Sequence, residues 1–206
     1  MNNDDYLKLH RGKILNLETG IRCTLQCPDC SRTKIMKKGY SIPGKDLTIN
    51  QFDKLSDFFD EIHFCGGWSD PIFNPKFIDM LKMCKEKDII TFVHTAASHK
   101  PKEWYEQAFR ANIDAIWRFG IDGLPRNSHI YRVNQDGNKL FEMMLLGKSL
   151  NLNVEWQYLI FDYNRKTIEK AKKLAAKHNI PLLLIDTPRN SLINQKNKLE
   201  KLNEKT

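Results

Sequence analysis

Asn16 to Arg32 read NLETGIRCTLQCPDCSR, with Cys23, Cys27 and Cys30 spaced as C-x3-C-x2-C directly behind a short apolar run, Ile14–Leu17. Soft thiolates at this spacing can wrap three corners of a cubane iron–sulfur cluster from a single loop. A cubane has four irons, so three cysteines leave one iron open to another ligand. Structural zinc is the competing reading. It asks for four ligands, and His63, Cys65 or His94 could supply the fourth.

The run before the cysteines is the first of six β-rich stretches. The others are Glu61–Cys65, Ile89–His94, Asp114–Phe119, Val154–Ile160 and Pro181–Asp186. Stretches of helical period alternate with them: Thr48–Asp60, Pro75–Lys87, Pro101–Asn112, Gly137–Leu150, Arg165–His178 and Ser191–Glu204. Phe52, Leu55 and Phe59 recur at helical intervals, as do Phe77, Leu81 and Cys84. Pro75 and Pro101 fall where helix starts tolerate proline. Strands alternating with helices imply parallel pairing and right-handed crossovers. Six units are too few for a closed (βα)8 barrel. The expected architecture is α/β, an open partial (βα)6 barrel of parallel strands that works at their carboxyl ends. Residues 1–188 read as one core domain and 189–206 as a polar tail.

The 206 residues are 41% hydrophobic and 28% charged, ordinary for a globular protein. No apolar run spans a membrane, and MNNDDYLKLHRGK has no apolar signal core, so the expected place is the cytoplasm. An odd count of five cysteines without a secretory signal argues against a disulfide framework. The net charge of +8 is spread over many lysines, and no aromatic-interleaved basic motif appears; nucleic acid is therefore not an expected partner. The bland alternative from another class is a zinc-stabilised, basic nucleic-acid-binding protein.

The cysteine spacing resembles the signature of the radical S-adenosylmethionine (SAM) superfamily, and four later segments extend the resemblance from about Leu15 to Asp186. CGGWSDP, Cys65 to Pro71, is similar to the family's Gly-Gly-Glu-Pro stretch, with Trp68 and Ser69 intervening and Asp70 in place of Glu. The resemblance implies that Gly66, Gly67 and Asp70 receive the SAM amino group. VHTAAS, Val93 to Ser98, stands at the third strand end, where Thr95 and His94 carry modest weight. RFGIDGLPRNSHIYR, Arg118 to Arg132, is similar to a stretch of peptide-modifying members, including the sulfatase-maturating type, with Gly120 replacing a Ser. It implies SAM contacts for Asp122 and, through its carboxylate, for Arg132. Asn164 falls where the family lines the adenosine, and a plain helix cap is its alternative role. Asp29 stands where the family places an apolar or aromatic residue. Cys84 reads as core, and Cys65 as structural.

The resemblance implies a [4Fe-4S] cluster on Cys23, Cys27 and Cys30, chelation of SAM at the open iron, and a 5′-deoxyadenosyl radical that takes hydrogen from a substrate. It also implies an external flavodoxin- or ferredoxin-like electron donor. The fourth-strand segment leans toward a peptide or protein substrate. No further cysteine set follows the sixth strand, and a glycyl-radical activase role fits the short chain too.

Overall fold

A computed structural model of the chain describes residues 14–187 and residue 189. Six strands form one sheet in sequence order: β1 (Ile14–Leu17), β2 (Glu61–Phe64), β3 (Ile90–Thr95), β4 (Ile116–Gly120), β5 (Asn153–Ile160) and β6 (Leu182–Asp186). Every neighbouring pair is parallel, so this is the open partial (βα)6 barrel expected. The helices are α1 (Ser31–Lys37), α2 (Ile49–Ser56), α3 (Phe77–Glu86), α4 (Lys102–Ala111), α5 (Gly137–Ser149) and α6 (Ile168–Lys177).

The strand faces differ in chemistry. In β4, Trp117 and Phe119 are fully buried, while Arg118 between them points the other way. Trp117 meets the α4 residue Phe109 edge-on, with ring centroids 4.9 Å apart at 89°. It also meets the α3 residue Phe77 at 6.3 Å and 83°. The main core therefore lies between sheet and helices, built from aromatic rings. The alternate strand face carries Glu61, His63, His94, Arg118, Glu155 and Gln157, which is polar for a parallel sheet.

Helix ends explain most boundary differences. Thr48 and Gln51 form a capping box, so α2 begins at Ile49; it closes at Ser56, short of the expected Asp60. Asp88, Asn151 and Asn179 take left-handed φ angles of 56°, 62° and 50° just past α3, α5 and α6. Short polar side chains tolerate that conformation, and it ends the helices. Pro101 caps α4, whereas Pro75 lies outside α3. The expected helix Arg165–His178 divides into a 3-10 turn, Arg165–Thr167, and α6. Helix α1 and the 3-10 turns Pro71–Phe73 and Pro125–Ile130 were not expected. The expected helix Ser191–Glu204 and, Arg189 apart, the proposed tail lie outside the described residues. Among the described residues no helix is long and apolar enough to cross a membrane.

Candidate functional site

The cysteine loop leaves β1 and is tied down along its length. The Asp70 amide donates to Arg22 O at 3.0 Å, and the Gln26 amide donates to Val133 O at 3.0 Å. Thr24 Oγ1 meets His99 Nδ1 at 2.7 Å. Leu25 and Cys27 are buried in a second, small apolar cluster with Tyr131, Leu159 and Phe161, against which Cys23 and Cys30 pack. Cys30 is the N-cap residue of α1. Burial, then Asp70, push the Cys23 thiol up to about 12. Burial also raises Cys27, against the pull of Arg132. Left alone these are neutral thiols; a metal centre supplies the positive charge that makes buried thiolates tenable.

Beside them the second strand end makes a tight turn. A Cβ on Gly66 would stand 1.7 Å from Ser69 O, so no other residue fits without moving backbone. Glu18, a residue the sequence reading passed over, holds this turn. Its Oε2 accepts from the amides of Gly67 (2.6 Å) and Trp68 (2.9 Å), and its Oε1 from the amide of Ser69 (2.8 Å) and the Ser69 hydroxyl. Gly66→Ala is expected to cost about 1–3 kcal/mol by forced overpacking. At Gly67 the added Cβ meets Glu18 at an ordinary 3.6 Å, and Gly67→Ala should stay within about 0.5 kcal/mol. Urea unfolding of the two variants checks the contrast.

Asp70 is engaged by the backbone around it. Its carboxylate accepts from Thr95 Oγ1 (2.9 Å), the Ala96 amide (2.8 Å), the Ala97 amide (3.0 Å) and the Ile72 amide (3.3 Å). Burial raises its pKa and these donors oppose the rise. With both oxygens engaged, Asp70 buttresses the end of β3 at the edge of the cavity it lines.

Asp122 and Arg132 are a buried pair. Arg132 Nε donates to Asp122 Oδ2 at 2.7 Å, and the Leu159 amide donates to Oδ1 at 2.9 Å. Burial pushes the Asp122 carboxyl up, opposed by Arg132. Burial would lower Arg132, but Asp122 and the Cys27 sulfur raise it instead, so it stays charged. Gly120, where the resemblance expects Ser, leaves room for this fork: a Cβ there would meet Arg132 Nη2 at 3.2 Å. Asn164 braces its own loop, with Nδ2 donating to Leu159 O at 2.9 Å and Oδ1 accepting from the Phe161 amide at 2.8 Å. Asn164 stands at the N-cap position of the 3-10 turn Arg165–Thr167, as the cap alternative expects, but its side chain makes no capping bond there.

These parts surround one cavity of about 610 Å³ at the carboxyl ends of the strands. Cys23, Cys27, Cys30, Gly66, Gly67, Asp70 and Arg132 line it; Asp122 and Asn164 do not, and lie behind the wall. Asp29 also lines it, with Oδ1 3.1 Å from Lys34 Nζ and Oδ2 buried without a partner. Cys65 lines it 3.8 Å from Asn16 Oδ1, whereas Cys84 is buried in the main core. Among the described residues no three His, Cys, Asp or Glu side chains converge as a single metal ion requires.

No protein-family model matches the chain. The tungsten-containing aldehyde ferredoxin oxidoreductase cofactor-modifying protein of Pyrococcus furiosus is 25% identical over 123 residues, 57% of this chain and 33% of that protein. Among solved structures, native anSMEcpe with bound AdoMet superposes with a TM-score of 0.66 at 13% identity, covering 84% of this chain and 50% of that one. Streptococcus suis SuiB bound to precursor peptide SuiA gives a TM-score of 0.70 at 10% identity, covering 89% and 41%. Methylornithine synthase (PylB) gives 0.61 at 11% identity, covering 88% and 56%. The chain thus spans about half the length, or less, of most of the proteins it matches. The partial barrel is the fold these radical SAM enzymes share with it.

Proposed function

Proceeding from that shared fold, we propose that this chain is a radical SAM enzyme in which Cys23, Cys27 and Cys30 hold a [4Fe-4S] cluster. The observation that carries the reading is the meeting of three cysteine thiols, one buried and two half-buried, a glycine turn and a charged Arg132 on one cavity at the carboxyl ends of six parallel strands. When bound, the cluster and SAM supply reductive C–S cleavage and a 5′-deoxyadenosyl radical that takes hydrogen from the substrate.

The chain's own residues bind and orient. Arg132, kept charged and aimed by Asp122, presents its remaining donors to the carboxylate of SAM, for which a planar fork is suited. The Gly66–Gly67 turn, braced by Glu18, brings the backbone carbonyl of Gly67 within 4.0 Å of Cys30 Sγ, where it can accept from an ammonium. Asp122 and Asn164 serve as positioning residues behind the wall. A peptide or protein substrate draws support from SuiB, whose solved structure holds a precursor peptide. The proposed electron donor is flavodoxin- or ferredoxin-like. The cytoplasm is the proposed setting, where cysteine thiols stay reduced.

The test is direct. Cluster-reconstituted protein given SAM and dithionite under anaerobic conditions should form 5′-deoxyadenosine and methionine, read by chromatography. A full cluster with bound SAM but no 5′-deoxyadenosine above a Cys30→Ala control would overturn the reading in favour of a binding role.

A further inference from the structure

Away from the cysteines, the same cavity is floored by three polar side chains from adjacent strands: His94 on β3, Arg118 on β4 and Gln157 on β5. His94 and Arg118 are register partners, and Gln157 pairs with Gly120 two residues beyond Arg118 on the same strand face. None of the three is fully occupied. His94 Nε2 is buried without a hydrogen-bond partner. Arg118 Nε donates to Glu155 Oε2 at 2.7 Å, and its two amino groups have no partner among the described residues. The Gln157 amide has none there either.

This floor is rich in donors. The Arg118 amino groups, the Gln157 amide nitrogen and a His94 ring N–H can all donate, and the carboxylate beside them, Glu155, is already engaged by Arg118 Nε. His63 stacks on Phe92 and His94 at centroid distances of 4.3 and 5.6 Å, so the imidazole is held in place. Burial, then Arg118 and His63, bring the His94 pKa down to about 4, so this ring is neutral at pH 7 and sits in a field of positive sign. Glu155 offsets part of the Arg118 charge. A phosphate's second charge would find no second cation on this floor, and burying it unpaired is costly.

We propose that His94, Arg118 and Gln157 form the recognition site for a carboxylate on the substrate. A carboxylate is planar, carries a single charge and has about four acceptor sites, matching a guanidinium fork flanked by two neutral donors. Calling its bearer a substrate rests on the proposed radical chemistry; the binding does not. On a peptide the carboxylate could come from an acidic side chain or from the chain terminus.

The experiment is titration by calorimetry of the full-length protein, both as purified and cluster-reconstituted. The probes are N-acetylglutamic acid α-amide, N-acetylglutamine α-amide, N-acetylalanine and inorganic phosphate. The first two differ only in carboxylate against amide, and N-acetylalanine reports a terminal carboxylate. At least one carboxylate probe should bind at least about tenfold tighter than the glutamine probe. Gln157→Glu should remove that preference by repulsion. Arg118→Gln alone would leave Glu155 unpaired, so the charge-balanced Arg118→Gln/Glu155→Gln protein is the second variant; it should fold and lose the preference. Equal affinity for carboxylate and amide, tighter binding of phosphate, no carboxylate binding up to about 10 mM, or variants that bind as the parent does would each overturn the proposal. Failure to form a cluster or cleave SAM would instead count against the radical reading, with the binding result standing.

Discussion

Cys27→Ala protein, reconstituted anaerobically, is expected to hold less than about one iron per chain where the parent holds about four. Cys27 is buried in the small apolar cluster, and its sulfur lies within reach of Arg132 and the other loop cysteines. Removing it takes away one corner of the proposed cluster, and among the described residues the one other thiol on the cavity wall outside the motif is that of Cys65. Cys23→Ala and Cys30→Ala should behave alike. Cys84→Ala should keep its iron and lose only packing stability, because Cys84 lies in the main core away from the cavity. Iron and sulfide assays with visible absorption decide the matter. A full cluster in the Cys27→Ala protein would falsify the assignment.

Arg132→Met should destabilise the fold by about 3–5 kcal/mol, because it leaves the Asp122 carboxylate buried without its cation. Pairing it with Asp122→Asn removes the stranded charge, and the Asn oxygen can still accept from the Leu159 amide. That double variant should regain most of the lost stability in urea unfolding. It should not regain SAM affinity, expected to fall about tenfold or more with the guanidinium gone. Restored stability with unchanged SAM binding would move the carboxylate contact to another arginine, Arg118 or Arg189, both on the same cavity.

The sheet was legible because its outward positions, such as Ile62, Phe64, Val93, Trp117 and Phe119, are apolar at period two within each strand. Helix α1 was not, since SRTKIMK buries only Thr33 and shows no apolar stripe. The spacing of the cysteines marked a loop whose three thiols do share one cavity. The supporting residues were legible as types but not as tasks. A sequence shows that Asp70 and Asn164 carry oxygen atoms; it does not show that backbone amides of neighbouring strand ends already occupy them. Glu18 escaped for a related reason, as its partner Gly67 lies 49 residues away and no local pattern marks such a pairing.

The chain has two apolar cores, and they separate assembly from equipment. The larger lies between helices and sheet and includes none of the three loop cysteines, whereas the smaller is formed where that loop meets Tyr131, Leu159 and Phe161. Contacts that hold the sheet together therefore do not depend on what the loop carries. Small packed units open at lower cost than the body they sit on. If the loop carries the proposed cluster, this division would let the scaffold fold before the inorganic part arrives, so that maturation follows folding instead of driving it.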